Sequence, residues 1–278
     1  MKKLVHGLLF TCFAISMAAM PASKANAGLI ETDIVIFMDE SASMDADGSG
    51  LLTTNIFSNL SLFDSSLLKR NIKANYAVVA FGGSSNNWGY ILQNFTNSLS
   101  ELFDTVSDEN TGLEYSGAEE YPFLAIRQAL DIFGSGNALN YTVNAIKNFI
   151  VFTDEEPKAD DLINKSDAQN ELIDNDVRLN AVLSGGSTTG SLGSVAMNTG
   201  GNVFDLDTLI EGNESQVNDF MSNLGDVKAT EIIDQYCGTN PDADVCTDDN
   251  NPVNAPATLG LMFAGLVALG MRQRRRRI

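Results

Sequence analysis

Histidine is almost missing from this sequence. One of its 278 residues is a histidine, His6, and it lies in an N-terminal stretch expected to be removed. The remaining chain then cannot run histidine acid/base chemistry, build a Ser-His-Asp triad or hold zinc through imidazole. Cysteine is scarce too, with only Cys12, Cys237 and Cys246. Cys12 falls in the same N-terminal stretch, and one remaining pair in an exported chain reads as a disulfide, Cys237 with Cys246. Basic residues number 17 against 36 acidic ones. Phosphate binding needs a basic patch, so nucleic acid is excluded as a partner. An acidic surface instead suits solubility and divalent cations.

Both ends carry processing signals. Residues 1–27 hold Lys2 and Lys3, an apolar core over 8–20, and Ala25-Asn26-Ala27. A charged start, an apolar middle and an A-x-A site define a secretory signal peptide, with Gly28 as the first mature residue. Near the other end, residues 257–271 are apolar and are followed by Arg272, Arg274, Arg275, Arg276 and Arg277. As a helix this segment would reach about 22 Å, short of the roughly 30 Å hydrocarbon core. Such a segment can still lodge in a membrane, with the arginine end held in the cytoplasm. Removing both ends takes eight of the 17 basic residues and none of the 36 acidic ones. That leaves nine against 36, a net charge of −27. The body between the ends has the length of one domain.

That body is organised around residues 33–43, D-I-V-I-F-M-D-E-S-A-S. The apolar run 34–38 reads as a strand buried on both faces. Asp39, Ser41 and Ser43 follow it at alternate positions, all short and oxygen-bearing. Ligands of open α/β sheets bind just beyond the carboxyl ends of strands. Hard divalent cations take oxygen ligands, and Mg²⁺ keeps several waters beside one or two carboxylates. The run 149–152 repeats this logic, ending at Thr153-Asp154. Both carboxylates are therefore expected at one edge of the sheet.

Asp39-x-Ser41-x-Ser43 after an apolar strand resembles the metal-ion-dependent adhesion site of von Willebrand factor type A domains. The resemblance extends over about residues 31–234. It implies an α/β, Rossmann-like three-layer sandwich. A mostly parallel central sheet would carry one antiparallel edge strand, with helices on both faces. It also implies a cation, Mg²⁺ or else Mn²⁺ or Ca²⁺, on Asp39, Ser41, Ser43 and Asp154. Asp154 matches the family's Thr-Asp-Gly, with Glu155 in place of the glycine. The family's third arm supplies a threonine from the loop before a helix. In S-G-A-E-E-Y-P-F-L-A-I the matching position is Ala118, which cannot ligate. Glu119 is the preferred substitute, ahead of Thr111 and Ser116.

The remaining pattern alternates strands and helices, as a mostly parallel sheet requires. Helices are expected over 53–73, 98–106, 122–133, 160–175, 191–198 and 215–233. Further strands are expected over 76–81, 90–95, 179–183 and 202–206, with 90–95 at an edge. The loop 44–50, M-D-A-D-G-S-G, lacks the closing glutamate of an EF-hand and reads as an acidic extension. The domain is thus expected over 28–234. A linker with a disulfide loop follows over 235–252.

Residues 253–278 resemble a PEP-CTERM sorting signal, with Asn254-Ala255-Pro256 standing for its Pro-containing motif. The resemblance implies processing by an exosortase and a Gram-negative source. The function expected is a binding protein, not an enzyme, at the cell envelope, surface or matrix. Its partner would be a protein or polysaccharide with an acidic group. The alternatives are a structural matrix component with a vestigial cation site and, from another class, a metal-assisted hydrolase.

Overall fold

The computed structural model describes residues 28–45, 50–83, 88–108, 111–117, 120–130, 139–186 and 190–247. The expected signal peptide, the sorting signal over 253–278, Ala118 and Glu119 lie outside the described residues.

Strand β1, Ile30–Asp39, is buried along almost its whole length. Its residues alternate between two cores, as the two-residue period of a strand dictates. Ile34, Ile36 and Met38 enter one core, and Val35 and Phe37 the other. Strands β2 (Ile72–Phe81), β3 (Tyr90–Thr96), β4 (Ile146–Thr153), β5 (Arg178–Leu183) and β6 (Val203–Asp205) complete the sheet. Their order is β3-β2-β1-β4-β5-β6. All pairings are parallel except that of β3, the antiparallel edge. The expected α/β architecture is therefore present.

Helices α1 (Leu51–Phe57), α2 (Leu60–Leu68), α3 (Leu99–Val106), α4 (Pro122–Ala129), α5 (Lys165–Asp174), α6 (Ser191–Asn198) and α7 (Asp207–Glu211) precede α8, Glu214–Thr239. A one-turn α9, Asp244–Thr247, follows. Helices α1, α2 and α8 cover the first core, and α4, α5 and α6 the second. The single helix expected over 53–73 is two, with the Asn59 side-chain amide bonded to the Asn55 carbonyl at the break, and the pair ends at Leu68, since Ile72 already begins β2.

The last helix also runs further than expected, through Gln235 and Cys237 to Thr239. Some of its polar residues are buried along with its apolar ones. Lys228 is wholly buried, 2.7 Å from Glu231 Oε2, and donates to Asn148 Oδ1 at 3.1 Å and to Asn180 Oδ1. Asn180 and Asn202 donate to Glu231 Oε1. Gln235 donates to the Asp176 carbonyl at 2.7 Å. These polar residues form a buried seam against β4 and β5. Cys237 and Cys246 are bonded, which clips α9 to the end of α8. Among the described residues no helix is long and apolar enough to cross a membrane, and the stretch 257–271 lies outside them.

Candidate cation site

From β1 the chain passes to β2 on one side and later to β4 on the other. The crevice beyond the carboxyl ends of β1 and β4 is therefore the switch point of the sheet, the usual place for a ligand in such folds. Asp39 ends β1, and Thr153-Asp154 ends β4.

The loop after β1 folds back on its own carboxylate. The Ser41 amide donates to Asp39 Oδ1 at 2.7 Å. The Thr153 hydroxyl donates to Asp39 Oδ2 at 2.5 Å, joining the two strand ends. The Oγ atoms of Ser41 and Ser43 lie 3.0 Å apart. Ser43 Oγ donates to Asp154 Oδ1 at 3.2 Å, across 111 residues of sequence. The four described residues of the expected site therefore converge.

Glycines make room for this arrangement. Gly82 has φ +84°, and a Cβ there would stand 2.6 Å from Asp39 Oδ1. Gly117 presses on Gly82 so closely that a Cβ would fall 1.4 Å from its carbonyl oxygen. Neither position tolerates a side chain.

The residues flanking the third arm are tied to the loops of the site. Gly117 forms a parallel bridge with Ser41, and its amide donates to the Glu40 carbonyl. The Glu120 carbonyl accepts from the Lys158 amide at 3.1 Å. Residues on both sides of Ala118 and Glu119 are thus tied to the two acidic loops. Of the other substitutes, Ser116 donates its amide to the Glu40 carbonyl. Thr111 bonds Asp108 instead.

The electrostatics are those of carboxylates short of positive charge. Burial pushes Asp39 up to about 7, against the bonds from Thr153 and Ser41, and Glu120 adds to the rise. Burial also raises Asp154, against its bond from Ser43. Glu40, buried beside them, is likewise pushed up to about 7 by burial. It accepts from the Tyr90 hydroxyl at 3.0 Å and the Glu114 amide at 2.8 Å. Lys158 stands nearby, but it pairs with Glu120 at 2.8 Å and lies 3.6 Å from Glu155.

Sequence reasoning missed Glu40, Glu120, Lys158 and the supporting role of Thr153. Glu40 and Glu120 are charged residues beside a loop, and only the fold shows that they turn inward. Thr153 carried a usable signal, since it directly precedes the second aspartate.

Cis ligands in an octahedron about 2.1 Å in radius sit about 3 Å apart. The Ser41–Ser43 and Ser43–Asp154 separations match that edge. Each Asp39 oxygen keeps a lone pair for a cation or its water. Among the described residues no three His, Cys, Asp or Glu side chains group as a metal site. The donor set that fits is two carboxylates and two hydroxyls, suited to a hard cation.

A six-strand, mostly parallel sheet with helices on both faces and acidic loops at its switch point defines an α/β domain of the doubly wound kind. The model of the von Willebrand factor type A domain matches residues 33–218, and the chain belongs to that family. No curated protein matches it. Among solved structures it is similar to proximal thread matrix protein 1 from the mussel byssus. The identity is 15% and the TM-score 0.50, covering 72% of this chain and 48% of that one. A structure of the same mussel protein with a zinc-occupied MIDAS motif is 16% identical at a TM-score of 0.48, covering 71% and 48%. The pilus adhesin SpaC from Lactobacillus rhamnosus GG is 13% identical at 0.47, covering 74% and 31%. The chain spans about half the length of the mussel protein and less of the adhesin. At these identities the likeness is one of fold.

Proposed function

We propose that this is an exported binding protein that engages an acidic group on its partner through a divalent cation. The cation, Mg²⁺ by the hardness of the donors, would be held by Asp39, Ser41, Ser43 and Asp154. One observation carries the reading: four oxygen-bearing side chains from two distant segments meet at the switch point of the sheet. The raised Asp39 and Asp154 support it, since a cation relieves the cost of burying their charge. A bound cation would supply an electrophilic position for a partner's carboxylate. The chain's own residues bind and orient, and no chemistry is asked of them. Glu119 is the proposed third-arm ligand.

Export follows from the expected signal peptide, and exosortase processing from residues 253–278. The protein would then reside at the surface or in the matrix of a Gram-negative envelope. The mussel and pilus proteins are by name a matrix protein and an adhesin, but the reading rests on the geometry.

Calorimetric titration of Mg²⁺ and Mn²⁺ into the full chain tests it. Wild type should bind in the millimolar range or tighter, roughly −4 kcal/mol or better, and Asp154→Ala more weakly. If wild type binds neither cation, or the two proteins bind alike, the site is vestigial. A structural matrix role, which Ala118 favours, then replaces the adhesive one.

A further inference from the structure

We infer that the amino-terminal edge of the sheet, opposite the cation site, lies against the surface of the bilayer in which residues 257–271 lodge before processing. Leu29, Leu68, Val143, Ile173 and Met197 are the side chains that enter the lipid interface. This rests on the sequence reading of 257–271 as a membrane segment and is independent of the cation.

A row of exposed side chains carries it. Among the described residues, the lead-in to each of the five parallel strands holds one exposed large apolar residue. Leu68 precedes β2, Leu29 β1, Val143 β4, Ile173 β5 and Met197 β6. Hydrogen bonds hold these lead-ins to the strand ends. The Ile30 amide donates to the Asn71 carbonyl, and the Asn71 amide to that of Leu68. The Thr142 amide and hydroxyl donate to Asp33. The Asp176 amide donates to the Ile173 carbonyl, and the Gly200 amide to that of Met197. Neighbouring strands stand about 4.8 Å apart, so the row runs about 20 Å along the edge.

Both ends of the domain leave from this edge. Leu29 directly precedes β1. Helix α8 runs back along the strands, and near its end Gln235 bonds the Asp176 carbonyl and Asp234 lies 4.0 Å from Arg178, both at the entry to β5. The bond between Cys237 and Cys246 keeps Thr247 near that helix end. Nine residues separate Thr247 from Ala257, a reach of about 30 Å at most. A bilayer holding 257–271 is therefore tethered close to this edge, and the tether favours even a weak contact.

Charge orients the domain the same way. Nine basic residues against 36 acidic ones remain once the two ends are gone. Five of the nine, Lys69, Arg70, Lys73, Lys147 and Arg178, lie at the entries to β2, β4 and β5. Around them are Glu31, Asp174, Asp176 and Asp234 and, on the exit segment, Asp242 and Asp244. Five against six leaves this edge near balance. The opposite edge holds Asp39, Glu40, Glu120 and Asp154 beside Lys158, and an anionic bilayer repels it. Single exposed apolar residues are ordinary. This row differs in its alignment, its charge balance and the membrane segment tethered to it.

Trp88 is the only tryptophan of the chain. It precedes Tyr90, which pairs with Ala80 near the carboxyl end of β2, so it marks the opposite edge. The full chain is reconstituted into vesicles of phosphatidylethanolamine and phosphatidylglycerol with brominated acyl chains, which quench tryptophan on contact. Wild type should keep its emission. Val143→Trp and Ile173→Trp, each in a Trp88→Phe chain, should lose about half of theirs or more, since an interfacial side chain sits about 5–10 Å into the headgroup–acyl boundary. Both positions are exposed, and circular dichroism checks that each variant folds. Equal quenching at both edges, or at neither, would overturn the inference. So would an emission shift that needs no lipid and grows with protein concentration, which marks a second copy of the chain on this edge. A full chain that does not float with the vesicles would remove the membrane reading of 257–271 and this inference with it, leaving the cation titration untouched.

Discussion

Strand β1 carries a buried aspartate near its start, Asp33, and another at its end, Asp39, and the two have opposite fates. Asp33 and Asp39 share a strand face, and neither is exposed. Asp33 accepts from three donors: the Thr142 amide at 2.5 Å, the Thr142 hydroxyl at 3.0 Å and the Asn75 amide group at 2.9 Å. Lys147 is its register neighbour on β4. Asp39 accepts from two, Ser41 and Thr153, and has Glu120 acting on it. The first carboxylate is a post to which the loop before β4 is tied. The second is positioned but not neutralised, as the proposed cation role requires. The same residue type can thus be structural or functional, and the local supply of donors and charge decides which.

The buried pair Lys228–Glu231 marks the structural extreme, since its charges compensate each other and three asparagines complete the network. Burial lowers the Lys228 pKa, and Glu231 opposes this. Lys228→Met should therefore have the largest effect on stability. It leaves Glu231 charged, buried and unpaired, at a cost of about 3–5 kcal/mol. Urea unfolding of the cation-free chain measures it. A loss below about 1 kcal/mol would mean that the asparagines alone carry Glu231.

Asp33→Ala comes next. It orphans one backbone amide and two side-chain donors at about 1–3 kcal/mol per buried group, partly recovered by water. A loss of about 2–4 kcal/mol is expected, with Mg²⁺ affinity of the folded chain unchanged. A fall in that affinity would break the comparison, because the two ends of β1 would then act as one unit.

Much of the fold was legible in the sequence, and the reasons are particular. Apolar runs that stop at Asp39 and at Thr153-Asp154 read as buried strands, and they are. The edge strand and the disulfide could also be read, from a weaker run at 90–95 and from a single cysteine pair. The early start of β1 could not. Thr32 and Asp33 look like a loop, but they are buried because Thr32 donates to the Ile146 carbonyl and Asp33 gathers Thr142. The extension of α8 was hidden for a similar reason, since Gln235 looks solvated but is buried against the Asp176 carbonyl. At the site, alternation located Asp39, Ser41 and Ser43, and the end of the second apolar run located Asp154. Glu40 and Glu120 escaped because no periodicity tells a buried loop carboxylate from an exposed one. The misses share a cause: buried polar groups satisfied by partners far away in sequence.

The smallest effect on stability belongs to Asp39→Asn, and its sign is reversed. The Asp39 pKa is raised to about 7 from an ordinary value of 3.8, chiefly by burial. Between those values the folded chain keeps a proton that the unfolded chain has released, so cation-free stability falls as pH rises from about 4 to 7. The shift sets a ceiling of roughly 4 kcal/mol on that fall. Asparagine has no charge to bury. Its oxygen can accept from Ser41, and its amide can donate to the Thr153 hydroxyl. Some strain in this exchange offsets the gain, leaving the variant about 1 kcal/mol more stable than wild type at pH 8 without cation. Part of the pH dependence should persist, because Glu40 is also pushed up to about 7. Mg²⁺ should stabilise wild type and flatten its fall with pH, since a cation favours the charged carboxylate. It should do neither for Asp39→Asn. Thermal unfolding from pH 4 to 8, with chelator and with Mg²⁺, separates these outcomes. A variant less stable than wild type at pH 8 in chelator would place Asp39 with Asp33 among the structural posts, and the contrast between the two ends of β1 would be lost.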